Sequence, residues 1–191
     1  MKDLKELVGF VLGFMPWILF LIFAGGTFVS LERAIVVGFL ASLVFGFREL
    51  RKGFLLQWGT LIFFIVCLVT VDGLKWVAVA KSMGIISNGF LALVIWWTIL
   101  TGKPFTLQYA RAELPKERWD DPTLLQSCRF LAVVWACLLT FLALAAGFKS
   151  WKPGVFPDGI YFAVTIAAIV GGIVFTSWYK KYKRSRASSK V

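Results

Sequence analysis

The chain has 191 residues, 59% hydrophobic and 17% aromatic, with a mean hydropathy of +0.80. A soluble domain is about 45–50% apolar; here the excess falls in blocks near the ~20 residues that cross a hydrocarbon core, which argues for one all-α, polytopic transmembrane domain. The absence of histidine removes the commonest transition-metal ligand and the usual general base, and the formal charge of +11 sits at the ends of apolar blocks, against a nucleic-acid binder.

The first apolar segment is Val8–Phe28. Its charged start is also how a cleaved signal peptide begins, and Ala24, Gly25 and Gly26 would suit a cleavage site. The length of the run and the further segments behind it favour an uncleaved span. Gly9 and Gly13 form a GxxxG step that admits a neighbouring helix, and Pro16 removes a backbone donor inside the run. The second segment, Val29–Phe47, spans only if Glu32 and Arg33 lie at the interface, and a re-entrant segment is the alternative. Arg48, Glu49, Arg51 and Lys52 form a charged turn. The third, Phe54–Val71, ends at Asp72. Beyond it, Trp76, Val79, Ala80 and Met83 fall at helical spacing, as in a short helix lying in the interface. The fourth is Ile85–Thr101, with Trp96 and Trp97 near its end as an aromatic belt.

Residues 102–129 are the one long polar interruption. Phe105, Tyr109 and Ala112 share a helical face, with Leu107 and Leu114 directed elsewhere. Pro115 ends that piece. The next helix begins either with Asp121 as N-cap and Pro122 at the first position or with Thr123 and Gln126 as a capping box. It continues through Phe130–Phe148 as the fifth segment. A Pro- and Gly-rich loop follows, then the sixth segment, Ile160–Tyr179, with Gly171 and Gly172. Residues 1–179 thus form the transmembrane domain, and 180–191 read as a basic, disordered tail.

Six spans distribute the cations unevenly. Sixteen of the 21 Lys and Arg residues fall on the side of the termini and of 102–129; Arg33, Lys75, Lys81, Lys149 and Lys152 fall on the other. The positive-inside rule makes the first side cytoplasmic, both termini included.

The six spans carry no Asp, Glu, Lys or Arg in their middles, whereas ion-coupled transporters usually need such groups. Glu32, Arg33 and Asp72 near span ends read as an outer polar gate or as solvated boundary charges. Gln57, Thr60, Asn88 and Thr165 either bind something or bond across helices. Cys67 and Cys137 lie in apolar runs, and Cys128 near a boundary is the more accessible thiol. No nucleophile–base set, metal-ligand spacing, P-loop or dinucleotide motif is present, so no catalytic, cofactor or metal residue is assigned. Lys103, Pro104, Phe105, Tyr109, Arg111, Arg118 and Trp119 are the candidate contacts with a protein partner or a lipid head group.

One combination of residues resembles a known family. Trp96-Trp97, then Gly102-Lys103-Pro104-Phe105, then Leu114-Pro115 and Trp119, then a span with Trp135, is similar to the bacterial intracellular septation protein A family, as is the Lys75-Trp76 pair. The resemblance implies a non-enzymatic, multi-pass inner-membrane protein acting in envelope maintenance or septation through contact with other membrane proteins; membrane lipids are the other expected partner. A small permease, a lipid-handling protein and the membrane anchor of a larger complex are the alternatives.

Overall fold

The computed structural model describes residues 2–188, with the side chains of 2–11, 113, 184 and 186–188 outside that description. The described residues contain eight α-helices and no strand: α1 (Lys2–Phe23), α2 (Phe28–Arg51), α3 (Leu55–Cys67), α4 (Val77–Lys81), α5 (Met83–Leu100), α6 (Phe105–Glu113), α7 (Pro122–Trp151) and α8 (Asp158–Ser188). A π-helical turn, Leu68–Gly73, prolongs α3, and a 3₁₀ turn, Lys116–Arg118, separates α6 from α7.

Five elements among the described residues are long and apolar enough to cross a membrane: α2, α3 with its π turn, α5, α7 and α8. They fit a multi-pass membrane protein. The second segment is one unbroken helix of 24 residues, about 36 Å at the α-helical rise, so no re-entrant bend interrupts it. Its start is fixed by Thr27, whose hydroxyl accepts from the Ser30 N–H while the Ser30 hydroxyl accepts from the Thr27 N–H. α1 has 22 residues and carries Pro16, fully buried, inside it; its described apolar part is Leu12–Phe23.

Neighbouring long helices run antiparallel. Glu32 at the start of α2 pairs with Lys75 beyond the π turn, while Gly46 near the end of α2 faces Gln57 at the start of α3. The pairing is reached through a bend in which Lys75 takes a left-handed φ of 52°, a conformation uncommon outside glycine. At the opposite end, α2 and α5 stop at Gly53 and Gly102, both at positive φ. The N–H groups of Phe54 and Lys103 reach back to the carbonyls of Glu49 and Thr98, the glycine-terminated motif that satisfies the last carbonyls of a helix. Residues 48–55 and 101–122 thus lie at one end of the bundle, here the loop end. Residues 24–28, 72–83 and 151–158 lie at the far end.

Two apolar clusters hold the bundle. One joins α1, α5, α6 and α7 around Phe14, Ile95, Phe105 and Trp135; the other joins α1, α2 and α3 around Phe20, Ile35, Phe64 and Val71. Aromatic rings connect them: Trp17 lies 4.9 Å from Phe63 and 5.3 Å from Phe64, and its indole N–H donates to the Thr60 hydroxyl at 3.0 Å. Thr60 is therefore a bond across helices. Gln57 is different: it is wholly buried, and neither its amide oxygen nor its nitrogen has a hydrogen-bond partner among the described residues.

Several expectations change. Cys128 is buried and Cys137 exposed, because α6 covers the start of α7, where the Thr106 hydroxyl donates to the Cys128 carbonyl at 2.6 Å. The interfacial helix shrinks to Val77–Lys81: Val79, Ala80 and Met83 turn towards the α2–α3 cluster, while Trp76 is exposed. The tail expected to be disordered continues as helix to Ser188. Lys and Arg are good helix formers, and cations at a C-terminus favour the helix dipole. Residues 189–191 lie outside the described residues.

Candidate functional site

The loop end folds into a structured platform. Asp121 caps α7: its carboxylate accepts from the Thr123 N–H at 2.9 Å and from the Thr123 hydroxyl at 2.7 Å, with Pro122 at the first helical position. These bonds hold the Asp121 carboxyl below the usual carboxylate range, the hydroxyl bond contributing most. α6 packs on α7 and against the start of α3, where Gln108 accepts from the Leu55 N–H at 3.0 Å.

This platform divides the seven candidate contact residues. Pro104, Phe105 and Tyr109 are buried in the fold. Phe105 is wholly inside, its N–H donating to the Thr98 hydroxyl, and Tyr109 packs edge-on to Phe54 with its hydroxyl towards Gly13. Burial, and then the Glu49 carboxylate, push the Tyr109 phenol well above its ordinary pKa. The close approach permitted by Gly13 is thus used by Tyr109. Leu107 is buried too, because α6 is covered on more than the one face expected. Arg111 and Trp119 hold each other: the guanidinium lies 5.6 Å from the indole ring centre and donates to the Trp119 carbonyl at 3.2 Å, while the indole N–H donates to the Leu114 carbonyl. Asp120 is 3.6 Å from Arg111. Lys103 and Arg118 are exposed. The Leu114-Pro115…Trp119 element is therefore a locally closed turn, and two of the seven residues are left fully on the surface.

A concavity lies at the other end. A cavity of about 1170 Å³ lies between the α1–α2 turn, α4, the start of α5, the end of α7 and the start of α8. Small residues make the room: Gly25 and Gly26 on the turn, Gly84 and Ser87 on α5, Ala145 and Ala146 on α7. α8 leaves one side open. It packs on α7 through the Trp135–Thr176 bond and the Phe130–Tyr179 ring contact at its loop end, and through a 2.8 Å Lys149–Asp158 ion pair at its start. Among the described residues it has no comparable packing on α1 or α2. Ile160 and Phe162, both lining the cavity, remain about half exposed.

Polar groups are few and unevenly placed. Asn88 and Thr165 line the apolar wall but bond to their own helices, at Gly84 and Tyr161. Lys81, Lys149 and Asp158 also line the cavity, at the ends of their helices. These three were not singled out in the sequence. The available signal was that Lys81 and Lys149 belong to the few cations on the side opposite the termini. Glu32 and Lys75 pair at the same end of the bundle, so Glu32 is a paired boundary charge.

Comparisons with family models, with curated proteins and with solved structures find no match for this chain.

Proposed function

We propose that the chain is a non-enzymatic, lipid-handling protein of the bacterial cytoplasmic membrane, crossing it six times with both termini and 102–129 in the cytoplasm. The observation that carries the lipid reading is the apolar cavity at the far end, open between α8 and the α1–α2 turn. In a bilayer that opening faces acyl chains. An apolar space open to lipid takes in a chain because most of its wall offers hydrocarbon an environment like the bilayer's, the polar groups being at helix ends or bonded to their own helices. The six-span orientation rests on the cation asymmetry and on α1 serving as a span.

The test is retention of lipid by the purified protein. Native mass spectrometry of detergent-extracted protein should show a bound diacyl lipid, and Ser87→Trp, which fills the cavity wall, should lose it while thermal unfolding stays cooperative. Equal retention by both would place the lipid elsewhere and remove the reading. Orientation is checked separately by a C-terminal green fluorescent fusion: fluorescence in cells supports a cytoplasmic terminus, and a full-length, dark, membrane-inserted fusion opposes it.

A second reading, an interaction component in envelope maintenance or septation, is favoured by the ordered platform that presents Lys103 and Arg118 at the loop end and by the resemblance to the septation protein A family. It expects the fusion to concentrate at the division site. Uniform envelope fluorescence would oppose it.

A further inference from the structure

The cavity's rim differs from its walls. The walls are apolar or self-bonded; the rim carries two lysines and one aspartate. Lys149 is on the last turn of α7, its ammonium 2.8 Å from the Asp158 carboxylate and 5.4 Å from the centre of the Tyr161 ring. The Tyr161 hydroxyl oxygen is buried and has no hydrogen-bond partner among the described residues. Lys81 ends α4, is exposed, and forms no ion pair among the described residues.

The placement of these cations is the second observation. The positive-inside rule leaves few cations on this side, and of the five there, two line one cavity while Lys75 is neutralised by Glu32. Topology alone does not require lysines here. With Asp158 counted, the rim retains one net positive charge. A single phosphate diester carries the complementary charge, and ammonium–phosphate contacts are among the stronger hydrogen bonds.

We propose that the cavity binds an anionic phospholipid, its acyl chain along the apolar wall and its phosphate between Lys81 and Lys149, with the Tyr161 hydroxyl as a further donor. Asp158 is the internal stand-in for that phosphate. Its carboxylate occupies Lys149 when the rim is empty and closes the start of α8 onto α7. The phosphate competes for the same ammonium, so binding loosens the Lys149–Asp158 tie. This rests on the lipid reading above and adds the head-group chemistry to it.

The test compares three lipids of identical chains, phosphatidylglycerol, phosphatidylcholine and diacylglycerol, titrated into the full-length, delipidated protein and read by native mass spectrometry. The expected order is phosphatidylglycerol first, by at least about tenfold over diacylglycerol, roughly the effect of 1.4 kcal/mol. Lys81→Gln with Lys149→Gln should abolish the preference and leave diacylglycerol binding unchanged. Asp158→Asn should raise phosphatidylglycerol affinity several-fold without raising that of diacylglycerol. A merely structural tie would give no such selective gain, and its absence would remove Asp158 from the proposal. Lys152→Gln, a cation off the cavity, should change nothing. If all three lipids bind alike, or if the double lysine variant keeps the preference, the head-group inference falls while the acyl-chain reading stands. If none binds, both fall.

Discussion

The indole N–H of Trp135 on α7 donates to the hydroxyl of Thr176 on α8 at 3.0 Å, and both residues are buried. The Thr176 hydroxyl in turn donates to the Gly172 carbonyl at 2.8 Å. A Cβ on Gly172 would stand 3.0 Å from the same indole, so glycine there lets α8 approach close enough for the bond. This contact anchors the loop-end half of α8, while the far-end half, held by Lys149 and Asp158, borders the cavity.

Removal of that bond should cost little in stability. Hydrogen bonds between membrane helices average about 0.6 kcal/mol and reach about 1.7 in the best cases. The Trp135→Phe and Thr176→Val variants should each lower the melting temperature by a few degrees in detergent. Their double-mutant cycle should return a coupling in that range, and a coupling of zero would show that the contact carries no net energy.

A larger effect is expected at Gly38. A Cβ there would lie 2.3 Å from the Phe64 ring. Phe64 is wholly buried and packed by Trp17, Phe20 and Phe63, so the ring has nowhere to go. Gly38→Ala should destabilise by about 1–3 kcal/mol, the usual range for overpacking. Phe64→Leu in the same chain should recover part of the loss. Additive losses in the double variant would place the strain elsewhere.

Gln57 offers a test of opposite sign. An unpaired buried amide costs about 1–3 kcal/mol of desolvation, and Met has nearly the same length without the polar atoms. Gln57→Met should leave the melting temperature unchanged or raise it. A clear drop would mean that the amide is bonded in the folded protein.

The Asp121 cap makes the first turn of α7 sensitive to acid. Its carboxyl is held below the ordinary value, near 3.9 for a free Asp at about 25 °C. The stabilisation is therefore fully present above that value and is lost as pH falls through the lowered one. Amide-exchange protection of Thr123 and Leu124 should hold from pH 7 to about 4 and then decline. Asp121→Asn, which still caps, should remove the pH dependence, and a decline that persists in it would assign the titration to another group.

Much of this architecture was legible in the chain itself. Apolar blocks of span length mark α2, α3, α5, α7 and α8, because a helix is the way a single segment satisfies its backbone in a bilayer. The Asp121-Pro122 start of α7 was readable too, since caps are local chemistry. Which face of α6 is buried was not legible, because Thr106 is covered by α7, a partner far along the chain, and Leu107 is buried beside it. The cavity was decided by the tertiary structure alone. Gly84, Ser87, Ala145 and Ala146 are small residues of the kind that lets helices approach, and α5 and α7 do meet there, with Gly84 against Ala146. The same residues leave a hollow towards the start of α8, beside the Lys149–Asp158 ion pair. Sequence determined that helices would form and how long they would be, through hydrophobicity and capping. The space between them depended on where distant side chains met, which no local pattern encodes.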